Sequence, residues 1–237
     1  MNTKTQNQDI AKAINALGQN KFEEAEIICQ EILTLGDDAD ANYILGCIRM
    51  HDKKYTESIN YIEKAISKDN TNVGYYISLG CAYSSDQNFV KAIEAFINAN
   101  TINSEIPQIH FYLGEAYRQT GKFTHSLNHF KTSLRLSPDH IGSLLMLGVV
   151  YEELKKFDQA KESYLNCINI YPENIDPHIN LGMCYLLTGE YEKGWKEYEW
   201  RLKLENTLPS IELNKPQWKG ENLDEKKLLI ICEQGFG

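Results

Sequence analysis

Long apolar runs are missing from this sequence, and proline is scarce, with six in 237 residues. No stretch approaches the roughly 18 consecutive apolar residues that a membrane-spanning helix needs. The first ten residues, MNTKTQNQDI, are polar and lack the apolar centre of a signal peptide. We therefore expect no membrane partner and a cytoplasmic location.

Positive charge is also in short supply. The chain has 24 Lys and Arg residues against 33 Asp and Glu residues, which gives a net charge of -9 at pH 7. An acidic chain is not attracted to the phosphates of nucleic acids, so we expect no nucleic-acid partner. A content of 42% hydrophobic and 24% charged residues is typical of a folded domain rather than of a disordered one.

Cysteine is present, but not in a pattern that binds metal. No two cysteines form a CxxC motif, and no cysteine has a histidine at the spacing of a zinc site. We therefore expect structural thiols, no metal and no cofactor. Cys47 and Cys81 lie 34 residues apart and could be spatial neighbours, which leaves a redox pair as an alternative.

A repeat of 34 residues is the most prominent feature of the sequence. A Leu-Gly pair recurs at this spacing, and its glycines are Gly46, Gly80, Gly114, Gly148 and Gly182. Nine residues after each glycine stands an aromatic residue, namely Tyr55, Phe89, Phe123, Phe157 and Tyr191. Small residues follow three positions later at Ser58, Ala92, Ser126, Ala160 and Gly194. Such a fixed period indicates an array of similar structural units.

Each unit reads as two helices joined by a short turn. In one unit the segments are IHFYLGEAYRQT and THSLNHFKTSLRL, and they are separated by the turn GKF. Pro138 and Pro172 follow the second segments of two units, where proline ends a helix. The glycine of the first helix and the small residue of the second allow the two backbones to approach closely, while the aromatic side chains fill the space around the crossing.

This pattern resembles the tetratricopeptide repeat (TPR), whose period and L-G-x2-Y motif it shares. The resemblance implies an all-α fold, a right-handed superhelical solenoid of helix-turn-helix repeats. The predicted repeats are residues 39–72, 73–106, 107–140, 141–174 and 175–204, and the last has an aromatic-rich second helix. Residues 9–38 are predicted to be a divergent capping repeat, with Ala13 in place of the glycine. Residues 1–8 are predicted to be disordered.

The same resemblance places partners on the concave face formed by the first helices. It implies a peptide-binding groove lined by Tyr43, Cys47, Met50, Ile77, Ser78, Cys81, Phe111, Tyr112, Glu115, Arg118, Met146, Val149, Asn180 and Met183. This lining is mainly apolar and aromatic, which is typical of a site for a peptide or a helix. The alternative is that a neighbouring helix, the tail of the chain or a second copy covers these residues.

Two more specific kinds of site are not expected in this groove. Repeats that clamp a terminal carboxylate use lysine, arginine and asparagine, and among these positions only Arg118 and Asn180 fit. His110 and His178 occupy equivalent positions two periods apart, but Leu144 stands at the equivalent position between them, so a metal site is not expected. The predicted function is a scaffold that binds a peptide or protein segment, without catalytic residues.

The end of the sequence departs from the repeat. Residues 205–227 read as an extended linker, and residues 228–237, LLIICEQGFG, as a buried strand followed by a glycine turn. The segments GWKEYEWR, KPQWKGENL and LLIICEQGFG, in that order, resemble the junction in bacterial proteins that join a TPR array to a glycosyltransferase domain. That resemblance implies an alternative function, the N-terminal part of a glycosyltransferase whose repeats present a polypeptide acceptor. The tail would then be the first strand of a further domain.

Overall fold

The computed structural model describes residues 3–204, with the side chains of residues 3–6 excepted. This range contains α-helices and one 3-10 helix and no strand. The helices are α1 Thr3–Gly18, α2 Phe22–Leu35, α3 Ala39–His51, α4 Tyr55–Lys68, α5 Val73–Ser85, α6 Phe89–Ile102, α7 Pro107–Gln119, α8 Phe123–Leu136, α9 Ile141–Glu153, α10 Phe157–Ile170, α11 Ile175–Leu187 and α12 Tyr191–Tyr198. The 3-10 helix, Glu199–Lys203, follows α12.

The chain divides into two compact units. The first unit, Met1–Leu154, contains α1 to α9, and the second, Lys155–Gly237, contains α10 to α12 and the 3-10 helix. In the first unit each helix packs on the next one along the chain, and α3 also contacts α5, α5 contacts α7, and α7 contacts α9. In the second unit α10 packs on α11, and α11 packs on α12 and on the 3-10 helix.

Local signals start the helices and turn the chain between them. The side chain of Asp38 accepts a hydrogen bond from the Ala41 backbone N–H at 2.9 Å and so caps α3, and Pro107 occupies the first turn of α7. The turn between the two helices of a pair places one residue in the left-handed region. These residues are Asn20, Lys53, Gln87, Gly121, Lys155 and Gly189, and two of them are glycines.

Close contact between the helices of a pair explains the repeated glycine. A Cβ atom added at Gly114 would lie 2.5 Å from the ring of Phe130, which is fully buried. Gly80 stands in the same relation to Phe96, and Gly46 to the side chain of Ile62. The first helix therefore needs a residue without a side chain where the second helix inserts a large one. The predicted all-α fold of helix-turn-helix units is confirmed for residues 3–204.

The ends of the array differ from its middle. Helix α1 begins at Thr3, so the prediction of disorder for residues 1–8 was wrong for residues 3–8. At the other end α12 has 8 residues, against 14 in α10, and it continues as the 3-10 helix. The predicted linker, residues 205–227, and the predicted strand and glycine turn, residues 228–237, lie outside the described residues.

Two buried serines at the same repeat position are expected to affect stability in opposite directions. The Ser58 hydroxyl donates to the Gly46 carbonyl oxygen at 2.8 Å, whereas the Ser126 hydroxyl has no hydrogen-bond partner among the described residues. Ser126→Ala should therefore raise the free energy of unfolding by about 1 kcal/mol, since it removes an unsatisfied buried hydroxyl. Ser58→Ala should lower it by about 1 kcal/mol.

Urea unfolding followed by circular dichroism measures both effects, and each variant serves as the other's control because the chemical change is identical. Equal changes in the free energy of unfolding of the two variants would show that the hydrogen bond from Ser58 to Gly46 makes no difference to stability.

Candidate functional site

The first helices of successive repeats form one side of the first unit. We call the surface formed by α3, α5, α7 and α9 the first-helix face. Hydrogen bonds between α3 and α5 hold these two helices in register: Tyr43 Oη lies 3.1 Å from Ser78 Oγ, and Tyr75 Oη donates to Asp40 Oδ1 at 2.5 Å. Both pairs join residues 35 positions apart, so the repeat itself generates the contact between neighbouring helices.

An open cavity of about 320 Å³ lies on this face, where α5, α6 and α7 meet. Four aromatic side chains from α6 and α7 give it a mainly apolar surface, and hydroxyl, amide and carboxylate groups lie among them. Its lining residues are Cys81, Ser84, Ser85, Phe89, Phe96, Phe111, Tyr112, Glu115, Ala116 and Gln119. A cavity of this size accommodates one or two side chains of a bound peptide and lies at the lower end of the range for small-molecule pockets.

The aromatic walls of the cavity are held by packing on both sides. The Phe96 ring stacks on Tyr112 with centroids 5.2 Å apart, and Phe111 lies 6.0 Å from the fully buried Phe130. A Cβ atom at Gly142 would lie 2.9 Å from the Phe111 ring, so α9 approaches this ring closely. The cavity is therefore largely formed in advance, which reduces the entropy cost of binding.

The thiols on this face are poor nucleophiles. Burial raises the pKa of Cys81 to about 11 and also raises the pKa of Cys47. Because the thiolate is the reactive form, both side chains act as small, weakly polar groups at neutral pH. Cys47 and Cys81 are present as separate thiols. The Tyr43 hydroxyl, whose pKa burial raises to about 12, interacts with both of them.

Beside the cavity, Arg118 is paired with two carboxylates. Arg118 Nε donates to Glu115 at 2.9 Å, and Arg118 Nη1 donates to Glu153 of the next repeat at 2.9 Å. Burial tends to lower the pKa of Arg118, but the two carboxylates outweigh it and raise the pKa. This guanidinium is therefore already satisfied by carboxylates of the chain itself.

The predicted groove residues fall into three groups. Tyr43, Cys47, Met50, Ile77 and Ser78 are half-buried on α3 and α5. Cys81, Phe111, Tyr112 and Glu115 line the cavity, and Arg118 lies beside it; Met146 and Val149 are half-buried on α9. Asn180 and Met183 belong to α11 of the second unit, where Asn180 is half-buried and Met183 is exposed.

Sequence reasoning missed the contribution of the second helix to the cavity. Phe89 and Phe96 come from α6, and Ser85 and Gln119 from the last residues of α5 and α7. The repeat pattern assigned Phe89 and Phe96 to packing alone, because the same residues that fill the helix crossing also present a ring edge to the cavity. No signal in the sequence separates these two roles.

A histidine pair lies elsewhere in the third predicted repeat. His110 Nε2 lies 3.1 Å from the Ser104 carbonyl oxygen and donates to it, so the neutral ring has an acceptor at Nδ1. His129 Nδ1 lies 3.2 Å from that atom, and the rings of His129 and Tyr117 stack with centroids 5.4 Å apart. Burial, together with His110 and His125, lowers the pKa of His129 to about 4.

The equivalent histidine of the second unit has a different partner. His178 Nε2 donates to the Pro172 carbonyl oxygen at 2.9 Å, and its Nδ1 lies 2.5 Å from Glu197 Oε2. The His178 ring stacks on Trp200 with centroids 3.7 Å apart. Trp200 thus covers the histidine, while Trp195 on the preceding helix is 57% exposed.

Residues 3–204 contain neither a candidate membrane-spanning helix nor a candidate metal site. No helix in this range is long and apolar enough to span a membrane. No group of three or more His, Cys, Asp or Glu side chains in it is placed to hold a metal ion.

Comparison with known proteins identifies the repeats. Residues 39–72 and 141–174 match one family model described as tetratricopeptide repeat, and residues 107–140 match a second model with the same description. These three segments are therefore tetratricopeptide repeats. The structure is also similar to that of pilF from Pseudomonas aeruginosa, with a TM-score of 0.73 and 16% identity over 86% of this chain and 93% of that one.

Other solved structures share the fold at similar identity. MamA from Desulfovibrio magneticus RS-1 has a TM-score of 0.66 and 14% identity, over 72% of this chain and 96% of that one. YrrB, described as a TPR protein with an unusual peptide-binding site, has a TM-score of 0.64 and 21% identity, over 77% of this chain and 90% of that one. At these identities the likeness shows the fold alone. No curated protein matches the chain, and the comparisons give no support to a glycosyltransferase junction in the tail.

Proposed function

We propose that this chain is an interaction scaffold that binds a peptide or protein segment on the first-helix face. The observation that carries the proposal is the open cavity among Phe89, Phe96, Phe111 and Tyr112. An aromatic-lined cavity that is formed in advance offers an anchoring point for an apolar side chain, and such anchors supply most of the affinity in peptide recognition. YrrB, a protein of the same fold, is described as having a peptide-binding site, which supports the proposal.

The role we propose involves no chemistry by the described residues. The thiols of the face are protonated at neutral pH because burial raises their pKa, and the Arg118 guanidinium is paired with two carboxylates. A group that holds its proton firmly, or that is neutralised by a partner, is poorly suited to act as a nucleophile or as an acid-base catalyst. Asn180 and Met183, which belong to the second unit, stay predicted positions for peptide binding.

A peptide library displayed on phage tests the proposal. Ser85 is exposed and lines the cavity, so Ser85→Trp should fill the cavity without removing any packing. We expect wild-type protein to enrich peptides that bind with micromolar affinity, and Ser85→Trp to weaken their binding by about tenfold or more. The double variant Phe111→Ala with Tyr112→Ala should have a similar effect.

A control variant removes exposed apolar side chains outside the cavity. Val90 and Ile97 on α6 are 63% and 44% exposed, so Val90→Ala with Ile97→Ala removes apolar side chains outside the cavity. This control should bind the enriched peptides like wild type. Undiminished binding by Ser85→Trp, with a loss in the control, would contradict the proposal.

The alternative function is that the array presents a polypeptide acceptor to a glycosyltransferase domain. What supports it is the order of three segments, GWKEYEWR, KPQWKGENL and LLIICEQGFG, in the sequence. The coding sequence beyond codon 237 tests this alternative. An aspartate codon followed by an in-frame run of alternating strand and helix patterns would favour it, and a stop codon would oppose it for this product.

A further inference from the structure

The first-helix face carries negative charge that its own arginines do not offset. Helices α3, α5, α7 and α9 contain no lysine and two arginines, Arg49 and Arg118, against twice as many carboxylates. The carboxylates are Asp40, Glu115, Glu152 and Glu153. The face therefore has no lysine to attract an acidic partner, and only the two arginines could attract one.

Both arginines are already engaged by the chain. Arg49 binds Glu26 through its Nη2 atom and lies 3.2 Å from Glu57 through its Nε atom. Arg118 lies between Glu115 and Glu153, and its side chain is 20% exposed, whereas these two carboxylates are 29% and 32% exposed. A partner thus meets carboxylate more readily than guanidinium, and a partner carboxylate would have to displace one that is already bound to Arg118.

One of these carboxylates also belongs to the cavity. Glu115 lines the cavity together with Phe111 and Tyr112, so a side chain that enters the cavity passes close to a negative charge. Lys and Arg have long apolar stems and a charged end, and they can pack the stem on aromatic rings while the charge remains at a rim. The apolar lining and the acidic rim of the cavity therefore both favour a segment that carries apolar and basic side chains.

We propose that the partner of this face is a basic, amphipathic peptide segment. It places an apolar side chain in the cavity and a Lys or Arg beside Glu115 and Glu153. This inference rests on the proposed function, since it specifies the chemistry of the segment that the scaffold binds. Such a face has the opposite preference to a carboxylate clamp. Its Arg118 is paired with Glu115 and Glu153 of the chain itself, and the charge that remains on the face is negative.

Three fluorescein-labelled peptides of about a dozen residues test the charge preference. All share one pattern of Leu and Phe, and the intervening positions are Lys in the first, Gln in the second and Glu in the third. Fluorescence anisotropy should show the Lys peptide binding about tenfold more tightly than the Gln peptide, and the Glu peptide more weakly than both. The preference should shrink between about 0.05 M and about 0.5 M salt, because salt screens charges at a rim.

Glu115→Gln with Glu153→Gln sharpens the test, because it leaves Arg118 without its two carboxylates. We expect this variant to bind the Lys peptide about tenfold more weakly than wild type and to bind the Glu peptide more tightly than wild type does. Glu23→Gln with Glu31→Gln is the control: both residues are exposed on α2, and the change in net charge is the same. This control should keep the wild-type order of the three peptides.

The outcomes separate this inference from the proposed function. If the phage library yields peptides whose binding Ser85→Trp abolishes, but these peptides are neutral or acidic, the charge inference is overturned and the scaffold function stands. If the Lys peptide binds wild type and Ser85→Trp equally well, its binding is a general attraction to an acidic protein, and the inference is likewise overturned. If no library peptide is enriched at all, the proposed function itself fails.

Discussion

Gly182→Ala is expected to destabilise the second unit by about 3 kcal/mol, at the upper end of the usual cost of overpacking. A Cβ atom at this position would lie 2.6 Å from the backbone nitrogen of Tyr198 and 3.0 Å from the carbonyl oxygen of Gly194. At Gly80 and Gly114 the added atom meets a phenylalanine ring, but at Gly182 it meets backbone, which cannot rotate away. Helix α12 would have to move off α11.

Tryptophan fluorescence is a selective probe of this effect. Two of the three tryptophans, Trp195 and Trp200, lie in the described part of the second unit, and Trp200 stacks on His178 of α11. In urea unfolding the fluorescence midpoint of Gly182→Ala should move to clearly lower urea concentrations. Gly18→Ala is the control, since a Cβ atom at Gly18 meets no atom within 4 Å. An unchanged fluorescence midpoint in Gly182→Ala would refute the close contact between α11 and α12.

Acidification should destabilise the first unit through His129. Burial and the neighbouring histidines lower the pKa of His129 from 6.5 to about 4 in the folded state. Between these two values the unfolded chain binds a proton that the folded chain does not, so stability is fully present above about pH 6.5 and is lost as the pH falls towards about 4. The full shift corresponds to about 3 kcal/mol, and because the ring is partly exposed, solvent screening reduces the expected loss to about 1 to 2 kcal/mol.

The geometry explains why the folded state resists this proton. His110 donates its Nε2 proton to the Ser104 carbonyl oxygen, and its Nδ1 atom accepts from His129. A second proton on His129 would place a positive charge on a half-buried ring beside His110 and His125, where burial disfavours the charged form. The stacked rings of Tyr117 and His125 complete the surroundings, and neither provides a carboxylate to offset the charge.

Urea unfolding at about pH 7 and about pH 5 measures this effect. His129→Gln keeps a side-chain donor but cannot be protonated in this range, so its stability should fall less between the two pH values than that of wild type. His51→Gln removes an exposed imidazole and should follow wild type. Parallel loss in wild type and His129→Gln would assign the acid sensitivity to other groups.

Much of the fold could be predicted because the repeat encodes it many times. The Leu-Gly pairs at 34-residue spacing located the first helices, and the glycine at each crossing predicted close contact with the second helix. The structure has that contact at Gly46, Gly80 and Gly114. The ends of the array were less predictable: residues 3–8 are helical although they were predicted to be disordered, and the break in the repeat pattern at the last second helix did not predict that α12 has 8 residues. Terminal repeats lack a neighbour on one side, so the pattern there is less constrained.

The candidate site could be predicted in part. The first-helix positions Cys81, Phe111, Tyr112 and Glu115 do line the cavity. The sequence interpretation treated Arg118 as one of two residues suited to bind a terminal carboxylate, but the structure pairs it with Glu115 and Glu153. Glu153 belongs to the next repeat, 35 residues further along, and pairing across repeats depends on the exact rotation between neighbouring helices.

The sequence by itself determined the class of fold and the order of the helix pairs. These follow from a period, and a period is visible in one dimension. Only the tertiary structure decided that a cavity opens among side chains of α5, α6 and α7 and that the arginines of the first-helix face are neutralised. Both depend on side chains from separate elements meeting within a few ångströms, and that geometry arises only when the helices pack against one another.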